Sequence, residues 1–167
     1  MAVHYLRRKT RQTQCFGLKH QTALDLHTVY KFNKCMMCRL LMIDDNPIEH
    51  FIVQRMLDTY KLFPNVVHSL DGRSMIQSLR KNINQSDQIP DVIFLDLDMP
   101  DYSGWEFLKH FNNLRPRFNK EIDVHIVSSS IDPRDILKSK KYSFVKSFIS
   151  KPFKKQMLED LFLKWSG

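Results

Sequence analysis

No apolar run in the chain approaches the roughly 20 residues needed to span a bilayer, and nothing in the first thirty residues resembles the apolar core of a secretory leader. These absences set the expectation of a soluble, cytoplasmic protein with no membrane partner. Cysteine is scarce too: Cys15, Cys35 and Cys38 all fall in the first quarter and do not form the even, distributed framework of a secreted disulfide protein. A reducing compartment fits them. Cys35-Met-Met-Cys38 has no second pair at zinc spacing, so a metal or redox site there with His20 or His27 is weakly supported and the cysteines read as incidental. The chain also lacks the length for two comfortable domains: 167 residues with 43% hydrophobic content suffice for one core.

The net charge of +8 invites a nucleic-acid reading until its distribution is examined. Residues 1–39 carry eight Lys/Arg against the single acid Asp25, whereas the other 128 residues hold 18 basic and 17 acidic groups. The charge therefore belongs to the N-terminal stretch. Its apolar residues are scattered without a period of two or 3.6, and residues 1–38 read as a basic, flexible extension ahead of a domain at 39–167. Met36 and Met37 stand directly before the first strong strand, where a physiological start would also fit. A nucleic-acid module using this extension would need aromatic or helical organisation, of which there is little, so nucleic acid is an unlikely partner.

From Arg39 onward apolar runs alternate with amphipathic segments. Leu40–Ile43 is a short continuous run, the form of a strand buried on both faces of a parallel sheet. A helix follows over 47–60, with Pro47 in its first turn and Ile48, Phe51, Ile52 and Met56 at helical spacing. Residues 65–70 read as a second strand closed by the turn signal Asp71-Gly72, and 73–83 as a helix with Met75, Ile76, Leu79 and Ile83 on one face. Val92–Leu95 is the candidate central strand; after Pro100 and the loop residue Gly104 a helix carries Phe107, Leu108 and Phe111 inward. The fourth strand spans 122–127, Asp132-Pro133 opens the next helix, 145–150 is the fifth strand, and the last helix, 154–165, turns Met157, Leu158, Leu161, Phe162 and Trp165 inward.

Five strands alternating with five helices predict an α/β fold, an open parallel sheet doubly wound with helices on both faces. Ligands in such sheets bind beyond the carboxyl ends of the strands, and there the polar residues collect: Asp44 and Asp45 end the first strand, Asp96 the third, Ser128 the fourth and Lys151 the fifth. Singly, each has an ordinary reading as a cap, turn or solvated residue. Jointly, three carboxylates at contact distance raise one another's pKa and call for a cation. An all-oxygen ligand set suits Mg²⁺.

Residues 39–165 resemble the receiver domain of two-component response regulators, the fold of the bacterial chemotaxis regulator. The resemblance rests on Leu41-Met42-Ile43-Asp44-Asp45, Phe94-Leu95-Asp96-Leu97-Asp98-Met99-Pro100, Val127-Ser128-Ser129 and Ser150-Lys151-Pro152-Phe153, in that order and each at an expected strand end. It implies a flavodoxin-like sheet of order 2-1-3-4-5. It implies Asp96 as phosphoacceptor, Asp45 as direct Mg²⁺ ligand with Asp44 assisting, the Asp98 backbone carbonyl completing the ligands, and Lys151 on a phosphoryl oxygen. Ser128 and Phe148 would form the switch, the hydroxyl moving to the phosphoryl group and the aromatic ring turning into the vacated space. Asp98 and Ser130 would tune the lifetime of the acyl phosphate.

The implied partners are a sensor histidine kinase or phosphotransfer protein and a downstream protein. With Gly167 directly after the last helix, the expectation is a receiver standing alone, a signalling domain and not an enzyme. Its contacts, or a homodimer, would use the fourth helix, fifth strand and fifth helix, where Lys138, Lys140, Lys141 and Lys146 lie. A competing reading is a Mg²⁺-dependent phosphatase of haloacid dehalogenase type, which Asp96-Leu97-Asp98 imitates; that motif normally ends the first strand of its domain.

Overall fold

The computed structural model describes residues 38–129 and 132–166. The basic stretch 1–37, including Cys15, His20, His27 and Cys35, and the tuning residue Ser130 lie outside the described residues. Cys38, the last residue of the expected extension, is buried against the core.

Five parallel strands form one sheet: β1 (Arg39–Ile43), β2 (Asn65–Ser69), β3 (Val92–Asp96), β4 (Asp123–Ser128) and β5 (Val145–Ser150), in the order β2-β1-β3-β4-β5. Five helices connect and cover them: α1 (Pro47–Tyr60), α2 (Gly72–Lys81), α3 (Gly104–Leu114), α4 (Pro133–Ser139) and α5 (Lys155–Ser166). Successive side chains of a strand point to opposite faces, and the two central strands feed two cores accordingly. Leu41, Ile43, Ile93 and Leu95 join Ile76 and Leu79 of α2 and Phe107, Leu108 and Phe111 of α3. Leu40, Met42, Val92 and Phe94 join Val53 and Leu57 of α1 and Leu158 of α5. Strands with both faces buried leave no room for polar alternation, which is why β1 and β3 are continuous apolar runs.

Helix starts are written in local chemistry. The side chains of Asn46, Asp71, Ser103 and Asp132 each accept a backbone N–H of the first turn of α1, α2, α3 and α4. Ser103 and Glu106 cap each other reciprocally; such caps contribute about 1 kcal/mol each. Asp71-Gly72 is thus the start of α2 as well as a turn, and Gly104 is the first residue of α3, not a loop residue. Ile83 lies past the end of α2 but still packs on the core.

The inner face of α1 departs from expectation. Ile48 and Phe51 are about two-thirds exposed, at 65% and 66%, and Ile52 is exposed as well, while His50, Val53 and Leu57 are buried and Met56 is half-buried. Two stripes of the helix carry apolar residues at compatible spacing. The stripe that turns inward contains His50, whose ring hydrogen bonds are made only there.

Candidate functional site

The carboxyl ends of β1, β3, β4 and β5 bring the polar residues of the sequence reading onto one rim. Asp44 follows β1 directly and is held at every polar atom. Its N–H donates to Ser69 O of β2 at 3.2 Å, Oδ1 accepts from Asn46 N at 2.9 Å, Oδ2 accepts from Lys151 Nζ at 2.8 Å, and its carbonyl accepts from His50 Nε2 at 2.8 Å. Asp96 ends β3, with Oδ2 at 3.2 Å from the same Lys151 ammonium and Oδ1 accepting from Asp98 N at 3.4 Å. Asp45 completes the group at the exposed side: Asp44, Asp45 and Asp96 offer carboxylate oxygens that all lie within 4.8 Å of one another.

Charge and burial set this group apart from a solvated acidic surface. Asp44 is 1% exposed and Asp96 5%. Burial pushes the Asp96 carboxyl above its ordinary range; the Lys151 charge opposes this and the Asp44 charge adds to it. Burial works against the Lys151 ammonium, but its hydrogen bond to Asp44 and the charges of Asp96 and Asp44 outweigh the penalty and hold its pKa above the usual lysine value. One cation therefore serves two buried carboxylates, and the third faces solvent with room for a second cation. The donor set is all oxygen, as hard divalent ions prefer, so the residues present fit Mg²⁺.

Ser128 is buried at the last position of β4, one residue further into the strand than expected, and its Oγ–H donates to Asp98 Oδ2 at 3.3 Å. Lys151 is steered to the rim by its own backbone N–H, which donates to Ser128 O at 2.9 Å. Phe148, on β5 beside Ile126, is half-buried against the α2/α3 core. The start of α3 is pressed onto the acceptor loop: Gly104 N donates to Leu97 O at 3.1 Å, and a Cβ on Gly104 would lie 2.2 Å from Asp96 O. Only a glycine fits that approach. Of the lysines near the fourth and fifth elements, Lys138 sits over the Trp105 ring at 3.9 Å and Lys146 lies 3.6 Å from Asp123; Lys140 and Lys141 are exposed.

Sequence reasoning missed a histidine pair beside this rim. His50 Nδ1 faces His68 Nδ1 of β2 at 2.8 Å, and His68 Nε2 faces Gln54 Oε1 at 2.7 Å. Burial, followed by the His50 charge, lowers the His68 pKa. The pair ties α1 and β2 to the carbonyl of Asp44. The sequence signal for it was slight: His50 falls in register with Val53 and Leu57, the stripe that turns inward.

A profile of the response regulator receiver domain matches residues 40–162, and the chain belongs to that family. A two-component response regulator from Cytophaga hutchinsonii has the same fold, with TM-score 0.67 and 28% identity over 76% of this chain and 95% of that one. A two-component response regulator from Oryza sativa subsp. japonica is 26% identical over 125 residues, 74% of this chain and 53% of the rice protein. A peroxide stress-activated histidine kinase from Schizosaccharomyces pombe is 24% identical over 136 residues, 81% of this chain but 6% of the kinase. The chain thus spans about half or far less of these curated relatives. Receiver domains of two-component signalling define the class, and the haloacid dehalogenase alternative falls: Asp96-Leu97-Asp98 begins at the end of the third strand of a receiver sheet, not the first strand of a phosphatase domain. Among the described residues no helix is long and apolar enough to cross a membrane.

Proposed function

We propose that this protein is a phosphoacceptor of a two-component relay, taking a phosphoryl group on Asp96 from the phosphohistidine of a sensor kinase or phosphotransfer protein. The observation that carries the reading is the half-buried Lys151 ammonium bridging Asp44 and Asp96, 2.8 and 3.2 Å away, beside the solvent-facing carboxylate of Asp45. An Asp96 oxygen attacks phosphorus, the O–P bond forms as the P–N bond of the donor breaks, and the departing imidazole keeps the electron pair and takes a proton from solvent. Mg²⁺, when bound by Asp45, Asp44, Asp96 and the Asp98 carbonyl, supplies the charge compensation on which phosphoryl transfer chiefly depends. Lys151, already at hydrogen-bond distance from Asp96, neutralises a phosphoryl oxygen as a mobile point charge.

The donor meets a surface suited to protein contact. Ile48, Phe51 and Ile52 of α1 are exposed within seven residues of Asp45, the placement an apolar helical partner needs to bring its histidine to the rim. Output passes through Ser128 and Phe148 to α4, β5 and α5, as a contact with a downstream protein or a homodimer, in the cytoplasm. The receiver unit comprises residues 39–167, with 1–38 as a basic extension.

The test is incubation with acetyl phosphate, with and without Mg²⁺, read by intact mass for wild type and Asp96→Asn. A Mg²⁺-dependent gain of one phosphoryl group that vanishes in the variant supports the proposal. An unmodified wild type, with Mg²⁺ binding demonstrated, refutes it.

A further inference from the structure

Ser128 carries a single hydroxyl proton, and a hydroxyl can donate to one acceptor at a time. Among its contacts in this structure, the hydroxyl donates to the carboxylate of Asp98, with Oγ to Oδ2 at 3.3 Å. The two residues belong to different elements, Ser128 to the end of β4 and Asp98 to the loop two residues past Asp96. Asp98 itself stands in solvent, whereas Ser128 is 2% exposed. The backbone of Asp98 also donates to Asp96 Oδ1 at 3.4 Å, so the loop that presents the carboxylate to Ser128 is tied to the acceptor residue itself.

We propose that Asp98 is a positioning residue that latches Ser128 in its resting orientation, so that a phosphoryl group on Asp96 must win the hydroxyl from a resident carboxylate before the switch can turn. This rests on the reading of Asp96 as phosphoacceptor. The latch biases a two-state equilibrium by contacting one state better than the other. Its acceptor is charged, which strengthens the bond, while its exposure and the long 3.3 Å separation weaken it; a weak to ordinary net hydrogen bond corresponds to roughly two- to tenfold in the resting-to-switched ratio. Phe148 is the downstream element: it lies on β5 beside Ile126, two residues before Ser128 on β4, and is only half-buried, so space gained at Ser128 is space next to its ring.

Substitution of the Asp98 side chain leaves its backbone carbonyl in place, which separates the latch from any metal contact made by the main chain. Binding of beryllofluoride with Mg²⁺, a surrogate for the phosphoryl group, is measured by calorimetry for wild type, Asp98→Ala, Asp98→Asn, Ser128→Ala and the Asp98→Ala/Ser128→Ala pair. The latch requires Asp98→Ala to tighten binding roughly two- to tenfold, Asp98→Asn, which retains an acceptor oxygen, to tighten it less, and Asp98→Ala to have no effect once Ser128 is alanine. Equal tightening in both backgrounds means that the carboxylate acts by charge repulsion alone and overturns the latch; so does an unchanged or weakened affinity in Asp98→Ala. A wild type that binds no beryllofluoride with Mg²⁺ refutes the phosphoacceptor reading separately. The latch is then decided in the unliganded protein by the Ser128 χ1 couplings: one rotamer in wild type and averaging in Asp98→Ala support it, and identical couplings overturn it.

Discussion

His125 makes the stability of this fold depend on pH as it falls from 6.5 toward 4. It lies in β4, 1% exposed, with its ring edge-on to Phe94 at 6.0 Å and Nδ1 at 2.7 Å from Ser147 Oγ; Nε2 is buried with no hydrogen-bond partner among the described residues. Desolvation first, then the Lys164 and Lys146 charges, lower its pKa from 6.5 to about 4. A histidine depressed in the folded state binds its proton more readily when unfolded, so the stability it confers is complete above pH 6.5 and is lost as pH falls toward 4. With 1.36 kcal/mol per pKa unit, the loss reaches roughly 3 kcal/mol below pH 4, of which about 2 kcal/mol falls between pH 7 and pH 5. Urea unfolding of wild type and His125→Phe at pH 7.0, 6.0 and 5.0 measures it, the variant offering an aromatic ring that cannot titrate. Wild type should lose about 2 kcal/mol more than the variant across that range. Parallel curves for the two proteins would refute the assignment of the window to His125.

Three further outcomes follow from the packing around the rim. Gly104→Ala places a methyl against Asp96 O, and the strain, about 3 kcal/mol by the measure of overpacked cores, should appear as a lowered melting temperature together with weakened Mg²⁺ binding. His50→Leu removes the donor to the Asp44 carbonyl and leaves a buried acceptor unpaired, a loss of about 1–3 kcal/mol; Mg²⁺ affinity by calorimetry should fall, whereas an unchanged affinity would show that Asp44 is held without the histidine. Phe153→Ala empties a buried ring site packed at 5.6 Å on Phe94, at a cost of about 3–5 kcal/mol in urea. The loop bearing Lys151 should then become protease-sensitive.

The central strands were legible because a parallel sheet buried on both faces demands uninterrupted apolar runs, and Leu40–Ile43 and Val92–Leu95 are such runs. The strand ends were legible for the same reason: Asp44 and Asp96 break those runs abruptly. The face of α1 was not. Ile48, Phe51 and Ile52 satisfy helical spacing as well as Val53 and Leu57 do, and the deciding partner, His68, lies 18 residues from His50, beyond any local periodicity. The contact of Ser128 with Asp98 spans 30 residues and was invisible in the same way, although both residues had been singled out separately.

The order of the strands explains why the rim needs a lysine at position 151 and not a shorter base. β1 and β5 are separated by β3 and β4, and strands lie about 4.8 Å apart, so the ends of β1 and β5 begin roughly 14 Å from each other. Lys151 nevertheless places its ammonium 2.8 Å from Asp44. A flexible four-carbon stem covers part of the gap; the loop must cover the rest by folding over the sheet. Two contacts hold it: the Lys151 N–H donates to Ser128 O, continuing the β4–β5 ladder, and Phe153 packs beside Phe94 in the core that α5 covers. The charge balance of the rim therefore depends on an aromatic residue with no polar atom in the site. Apolar packing beneath the sheet edge fixes where the cation stands, and the cation fixes how two buried carboxylates can share one small space.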